Sequence, residues 1–195
     1  MAAPLGPSIS HSHHAMTHLD LMHGRDYSGQ RISGWLVQEK FNGLRALWTG
    51  KELVSRNGER FNAPDWFTAG LPDVPLDGEL YAGVGTRGRI ANTLARHKSG
   101  KDGDWKGVRF MVFDAPAFSG GFAERAIEVA LLIQETRPAN CFAVRDVEWS
   151  LPRLRKELRV LHKSGGEGFI LRDPSAPYVA GRTDKMLKFK SRSLY

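Results

Sequence analysis

Three observations predict an α+β domain. Short extended segments crowd the first half, two long helical patterns lie in the second, and no internal repeat is visible. The chain of 195 residues, 41% hydrophobic and 25% charged, suits a single globular domain with a real core.

The elements follow in chain order. Residues 1–28 carry Pro4, Gly6, Pro7 and the histidines His11, His13, His14, His18 and His23, and read as a flexible His-rich arm. No neighbouring carboxylate or cysteine pattern completes a metal-ligand set there. Extended segments are predicted at Trp35 to Lys40, Leu44 to Thr49, Glu52 to Arg56, Pro75 to Tyr81 and Val108 to Asp114. Gly43, Gly50, Gly58 and Gly78 mark turns or close backbone approaches, and Thr49-Gly50-Lys51 reads as a hairpin tip. Phe122 to Thr136 has apolar residues at helical spacing. Ser150 is placed to N-cap a second helix with Pro152 in its first turn and Leu151, Leu154, Leu158 and Leu161 along one face. Its basic residues, Arg153, Arg155, Lys156, Arg159 and Lys163, occupy other faces, as a solvated surface or a phosphate track. Strands at Gly168 to Arg172 and Lys185 to Lys190 complete the domain.

Bulk properties narrow the function classes. A formal charge of +7 and a pI near 9.8 favour a polyanionic partner, nucleic acid or a membrane surface. No apolar run approaches the ~18 residues of a membrane span, and no signal peptide is evident. With Cys141 as the single cysteine, neither an intrachain disulfide nor a thiolate zinc site is available. A reducing compartment, most simply the cytoplasm, is expected.

One motif is a decoy. GVGTRG, residues 83–88, matches the dinucleotide-binding GxGxxG, follows a strand and precedes the helix-like IANTLARH. The preceding strand, PLDGELYA, carries Asp77 and Glu79 inside it. The first strand of a dinucleotide-binding unit is buried on both faces and apolar throughout.

The chemistry concentrates elsewhere. QEKFNGLR, residues 38–45, interrupts apolar sequence with Lys40, whose charged form is penalised by desolvation. Alternation along strands puts Gln38 with Lys40 on one face, Asp77 with Glu79 and Tyr81 on another, and Lys188 with Lys190 on a third. Leu187 and Phe189 point the opposite way, into the core. Glu167, between Gly166 and Gly168, adds a carboxylate with room for close ligand approach. A lysine, several cations and a few carboxylates suit attack on a nucleotide phosphate: a nucleophile, partners for phosphate oxygens, and acids for Mg²⁺ or ribose hydroxyls.

In order, EKFNGLR, SRNG (55–58), LDGEL (76–80), MVFD (111–114), GGEGFILR (165–172) and MLKFK (186–190) resemble the nucleotidyltransferase motifs of ATP-dependent DNA ligases. The resemblance runs from about residue 30 to residue 190 and is nearest to the minimal bacterial or phage type. It implies a nucleotidyltransferase domain over residues 29–195, built from two antiparallel sheets flanked by helices, with the nucleotide in the cleft between them. It implies Lys40 as the nucleophile that takes AMP from ATP, with Asn42 and Arg45 beside it as catalytic residues. Arg45 and Arg56 would meet the nucleotide or the nick 5′-phosphate, and Glu39 the adenine edge through its backbone. Glu79 would bind the ribose, Phe113 would stack on adenine, and Lys188 and Lys190 would neutralise the α-phosphate. Glu167 and Glu79 would serve Mg²⁺ or Mn²⁺. The implied substrate is nicked double-stranded DNA.

Two departures from the family pattern stand out. Asn42 replaces the aspartate of the family's Lys-x-Asp-Gly, keeping hydrogen bonding and losing the charge. The sequence also stops at Tyr195, where the family continues into an OB-fold domain. A separate OB-fold or clamp partner is therefore expected, together with slow self-adenylylation. The alternatives are an RNA ligase or capping-type nucleotidyltransferase, separable by ATP against GTP labelling, and a nucleic-acid-binding relative that forms no covalent adduct.

Overall fold

The computed structural model describes residues 20–94 and 105–194. His11, His13, His14 and His18 of the expected arm lie outside the described residues. Within residues 20–28, the described part of that arm, His23–Asp26 forms strand β1 of a sheet.

The remaining strands are β2 (Leu36–Lys40), β3 (Leu44–Trp48), β4 (Leu53–Ser55), β5 (Leu76–Tyr81), β6 (Arg109–Asp114), β7 (Cys141–Ala143), β8 (Val147–Glu148), β9 (Gly168–Arg172) and β10 (Arg182–Phe189). Helices are α1 (Asp65–Thr68), α2 (Arg87–Leu94), α3 (Phe122–Thr136) and α4 (Leu151–Lys163). They build two sheets, ordered β1-β10-β9-β2-β8 and β4-β3-β5-β6-β7. Each is antiparallel through its centre, as expected, and each adds one parallel edge pair, β1 along β10 and β7 along β6. In the GVGTRG region, β5 runs antiparallel to both β3 and β6, so no parallel dinucleotide-binding unit exists there.

Side-chain alternation sorts each sheet into a core face and a cleft face. In the first sheet Val37, Phe169, Leu171, Leu187 and Phe189 pack with Leu154 and Leu158 of α4, which confirms the leucine stripe as core. In the second, Ala46, Trp48, Leu76, Leu80, Phe110 and Val112 form a separate core with Phe67 of α1, Ile90 of α2 and Val129 of α3. Ser150 occupies the N-cap position of α4 in extended backbone, yet its hydroxyl makes no capping bond; Pro152 lies in the first turn as expected. At the start of α3, Glu124 reaches back to accept from the Gly121 N–H at 2.7 Å.

Charged groups join the sheets at the base. Asp114, at the end of β6, is fully buried and accepts from Arg125 of α3 at 2.7 Å and from Arg172 of β9. Arg125 also donates to the carbonyls of Gly120 (2.8 Å) and Ala176 (3.0 Å). Beside them Gln38 of β2 donates to the Phe113 carbonyl at 3.3 Å, a second link between the sheets.

Asp146, next to Gln38, gives the fold a pH signature. Burial pushes its carboxyl up to about 7, with the Asp114 charge adding to the rise and Arg172 and the Gln38 hydrogen bond opposing it. Burial likewise raises Glu79 to about 7. Unfolded carboxyls titrate near ~4. As pH rises from about 4 to 7, the unfolded chain therefore releases these protons before the folded one does. Stability present below that window is lost across it. Urea denaturation at pH 5 and pH 7.5 should show lower stability at the higher pH, and Asp146→Asn should reduce the difference. An unchanged difference in the variant would exclude Asp146 as a source.

Candidate active site

The site begins where the chain changes sheets. Lys40 ends β2 and Leu44 begins β3, so residues 41–43 cross the floor of the cleft. The crossing is tight. A Cβ on Gly43 would lie 2.0 Å from the Leu80 carbonyl oxygen, so the linker lies directly on the backbone of β5. The Gly43 N–H donates to Glu79 Oε1 at 3.0 Å, and its carbonyl accepts from Arg87 Nε at 3.1 Å. Gly43→Ala should destabilise the fold by about 2–3 kcal/mol, as overpacking against backbone does. A urea midpoint like the wild type's would show that the linker has room to move.

Lys40 is held rather than free. Its Nζ donates to Glu167 Oε2 at 2.7 Å, while Lys190 Nζ meets Glu167 Oε1 at 2.6 Å. Glu167 thus bridges Lys40 at the end of β2 and Lys190 just after β10. Burial would raise its carboxyl, but Lys190 and Lys40 hold it below the usual range. Lys188 lies below the ordinary lysine range, first through burial; Lys190 and Lys40 add to this, and Asp26 opposes it.

Two cavities meet at Lys40. One, of about 550 Å³, is lined by Asn42, Ser55, Arg56, Asn57, Arg87 and Glu167 among others. The second, about 250 Å³, is walled by Gln38, Glu39, Phe113, Ile170, Met186 and Lys188. Lys40, Phe41, Arg45, Arg56 and Glu79 line both. A polar chamber therefore adjoins a smaller, more apolar one, with the lysine between them. That suits a ligand with an anionic end and a planar base.

Arg45, expected to meet the nucleotide or the nick 5′-phosphate, lines both cavities and is also held from within the protein. It is bidentate to buried Asp77, through Nε at 2.7 Å and Nη2 at 2.5 Å, and Nη2 also donates to the Met22 carbonyl at 2.9 Å. Tyr178 donates to the same Asp77 at 2.7 Å. The Arg45 guanidinium lies 4.8 Å from the Phe113 ring centroid, so it supports that ring from one side. Asn42 is exposed on the cleft wall. Burial raises the carboxyl of Glu39.

Three participants escape the motif reading. Arg87 belongs to the GVGTRG decoy and reaches the site only because α2 starts beside the crossing. Gln38 and Arg172 face the smaller cavity from inside the first sheet. The alternation that pairs Gln38 with Lys40 places Gln38 on this face, whereas nothing local to Arg172 signals that its partner is Asp114.

Comparison with known proteins fits this geometry. No family model matches the chain. A DNA ligase from Haemophilus influenzae is 30% identical over 178 residues, 91% of this chain and 65% of that protein. A solved structure from a structure–function study of Lig E DNA ligases is 34% identical with a TM-score of 0.82, covering 88% of this chain and 68% of that one. The chain belongs to the DNA ligase family. It spans about two thirds of the length of these ligases. The Chlorella virus DNA ligase–adenylate shares the fold at 18% identity, with a TM-score of 0.72 and coverage of 87% of this chain and 68% of that one. Among the described residues no helix is long and apolar enough to cross a membrane.

Proposed function

We propose that this ligase-family chain seals nicks in double-stranded DNA at the expense of ATP, through AMP carried on Lys40. The observation that carries the reading is the Lys40–Glu167–Lys190 bridge at the junction of the two cavities. Lys40 Nζ loses its proton and attacks the α-phosphorus of ATP; a P–N bond forms, the bond to the bridging oxygen breaks, and pyrophosphate leaves. Lys188 and Lys190 offset charge on the α-phosphate. Phe113 and Ile170 offer the base its faces, and Glu79 meets the ribose. A 5′-phosphate oxygen of the nick then attacks the AMP phosphorus, and the P–N bond breaks with Lys40 regaining a proton. Finally the 3′-hydroxyl attacks the activated 5′-phosphorus and AMP departs. Arg56 and Arg87, in the polar chamber, position phosphate during these steps.

A divalent ion fits this site only as a shared ligand. Among the described residues no group of three metal-ligating side chains occurs, and both Glu167 oxygens are engaged by lysines. Mg²⁺ characteristically takes one or two carboxylates plus substrate phosphates. Glu167 and Glu79 would hold Mg²⁺ or Mn²⁺ together with the nucleotide. Once bound it would neutralise charge on the phosphates.

Intact mass before and after incubation with ATP and Mg²⁺ tests the proposal, with GTP in parallel. An acid-labile AMP increment from ATP alone, chased onto a nicked DNA duplex and not onto nicked RNA, is expected. No increment, together with no sealing of a pre-adenylylated nick, would leave a nucleic-acid-binding protein without ligase chemistry.

A further inference from the structure

The outer face of α4 takes no part in the cleft. Its sequence, LPRLRKELRVLHK, holds five lysines and arginines against one carboxylate. That carboxylate, Glu157, is already paired with Arg153 at 2.7 Å, and Arg153 also lies over the Trp149 ring at 5.7 Å. Lys156, Arg159 and Lys163 remain, exposed and without an ion pair among the described residues. Spaced three and four apart, they stand one above another along a single stripe.

This pattern works against the helix that carries it. Like charges three and four residues apart repel, and the first turn has no acidic residue to complement the helix dipole, although Lys163 in the last turn does complement it. A merely solvated face mixes signs, as the paired surface cations Lys185 with Asp173 and Arg192 with Asp26 do elsewhere. Arg155 Nε, on the same helix, is buried with no hydrogen-bond partner. Leucines on the opposite face fix α4 rigidly on the first sheet.

The stripe also ends beside the cleft. After Lys163 the chain turns through Gly165 and Gly166 to Glu167. A Cβ on Gly165 would come within 2.7 Å of Val84 across the cleft mouth. Gly165, Gly166 and Glu167 share a small cavity with Lys40 and Asn42. From Lys156 to Lys163 the helix rises roughly 10 Å, a few phosphates' length along one strand.

We propose that Lys156, Arg159 and Lys163 form a phosphate-tracking surface, which docks the backbone of the duplex arm running out of the cleft. This rests on the reading of a nucleic-acid substrate and adds a contact outside the reacting centre. The contact is sequence-independent and reads charge alone.

The test compares two triple variants of the full chain with equal loss of charge. One is Lys156→Gln/Arg159→Gln/Lys163→Gln; the control is Lys51→Gln/Lys106→Gln/Arg137→Gln, whose cations are exposed on the other sheet's side. Binding to a nicked duplex without ATP is followed by fluorescence anisotropy over a KCl series. Each lost phosphate contact makes the slope of log K against log salt shallower by about 0.9, so the α4 variant should lose about 2–3 and the control less than about 1. Melting midpoints and AMP-adduct formation, measured alongside, should match the wild type in both. An unchanged slope in the α4 variant, or an equal loss in the control, overturns the proposal. So does a matching loss of adduct formation, which would mean that α4 acts through the cleft. Loss of binding to anionic vesicles with duplex binding intact would reassign the stripe to a membrane surface and overturn it too. Because the binding assay uses no ATP, a wild type that neither forms an adduct nor seals a pre-adenylylated nick sinks the catalytic reading and leaves this one to be judged by its slopes.

Discussion

Lys40→Arg will form no AMP adduct, a loss of about a hundredfold or more, while remaining as well folded as the wild type. Arginine keeps a positive charge and several donors, so the pair with Glu167, now 2.7 Å long, persists in kind. What it lacks is a usable lone pair, because guanidinium stays protonated in proteins. The substitution therefore separates two roles that Lys40→Ala removes together. Since Lys40 and Glu167 are each about a quarter exposed, at 23%, removing the pair alone should change stability by less than about 1 kcal/mol. Both variants should retain some sealing of a pre-adenylylated nick, which needs no nucleophilic amine. Intact mass and peptide mapping decide the matter. An adduct that survives in Lys40→Arg and maps to Lys188 or Lys190 would move the nucleophile and overturn the assignment of Lys40.

What could be read from the sequence follows a physical line. Strands whose apolar residues alternate were legible to within a residue or two, because one face of each must reach a core: β2, β5 and β9 are the clear cases. The α3 bounds and the α4 leucine stripe were legible for the same reason at helical period. The position of Lys40 was legible too, since Gln38, Lys40 and Gly43 make little sense as ordinary core. The short β1 was not. HGRD has no apolar alternation, and it is a strand only because β10, more than 150 residues away, offers it an edge. Edge strands β7 and β8, of three and two residues, fall below any pattern. Arg45 shows a different limit. Its motif sets it beside the lysine, where it is expected to meet the nucleotide or the nick 5′-phosphate, and it does line both cavities. In the fold its charge faces Asp77, from a strand that the motif order separates from it by 32 residues. Sequence pattern reports which face a residue occupies, and partners across two sheets are settled only when the sheets meet.

The buried charges at that meeting point make the second large prediction. Asp114→Asn should destabilise the fold by about 3–5 kcal/mol, the usual consequence of removing one partner from a buried ion pair. Asparagine nearly matches aspartate in shape, so packing is little altered. What changes is charge: Arg125 and Arg172, both fully buried, are left facing a neutral amide. Neither has solvent to turn to, and Arg172 Nε already lacks a partner. The remaining Arg125 bonds to the Gly120 and Ala176 carbonyls, and the Arg172 contact 4.0 Å over the Phe122 ring, do not replace a carboxylate. Arg192→Ala is the comparison, because its pair with Asp26 is 65% and 49% exposed and should contribute less than about 1 kcal/mol. Acid adds a second readout. Burial would raise the Asp114 carboxyl, but Arg172 and Arg125 more than offset this and hold it below the usual range. Its contribution is present above the unfolded value near ~4 and is lost as pH falls through the lower folded value. The wild type should therefore weaken in strong acid by a step that Asp114→Asn lacks. Urea denaturation of the three proteins at pH 7 and pH 3 measures both effects. If Asp114→Asn and Arg192→Ala lose similar amounts at pH 7, the sheets are held together by their separate apolar cores and the buried arginines are passengers. If the difference is several kcal/mol, the charges at the base set the spacing of the two sheets, and with it the width of the cleft in which Lys40 stands.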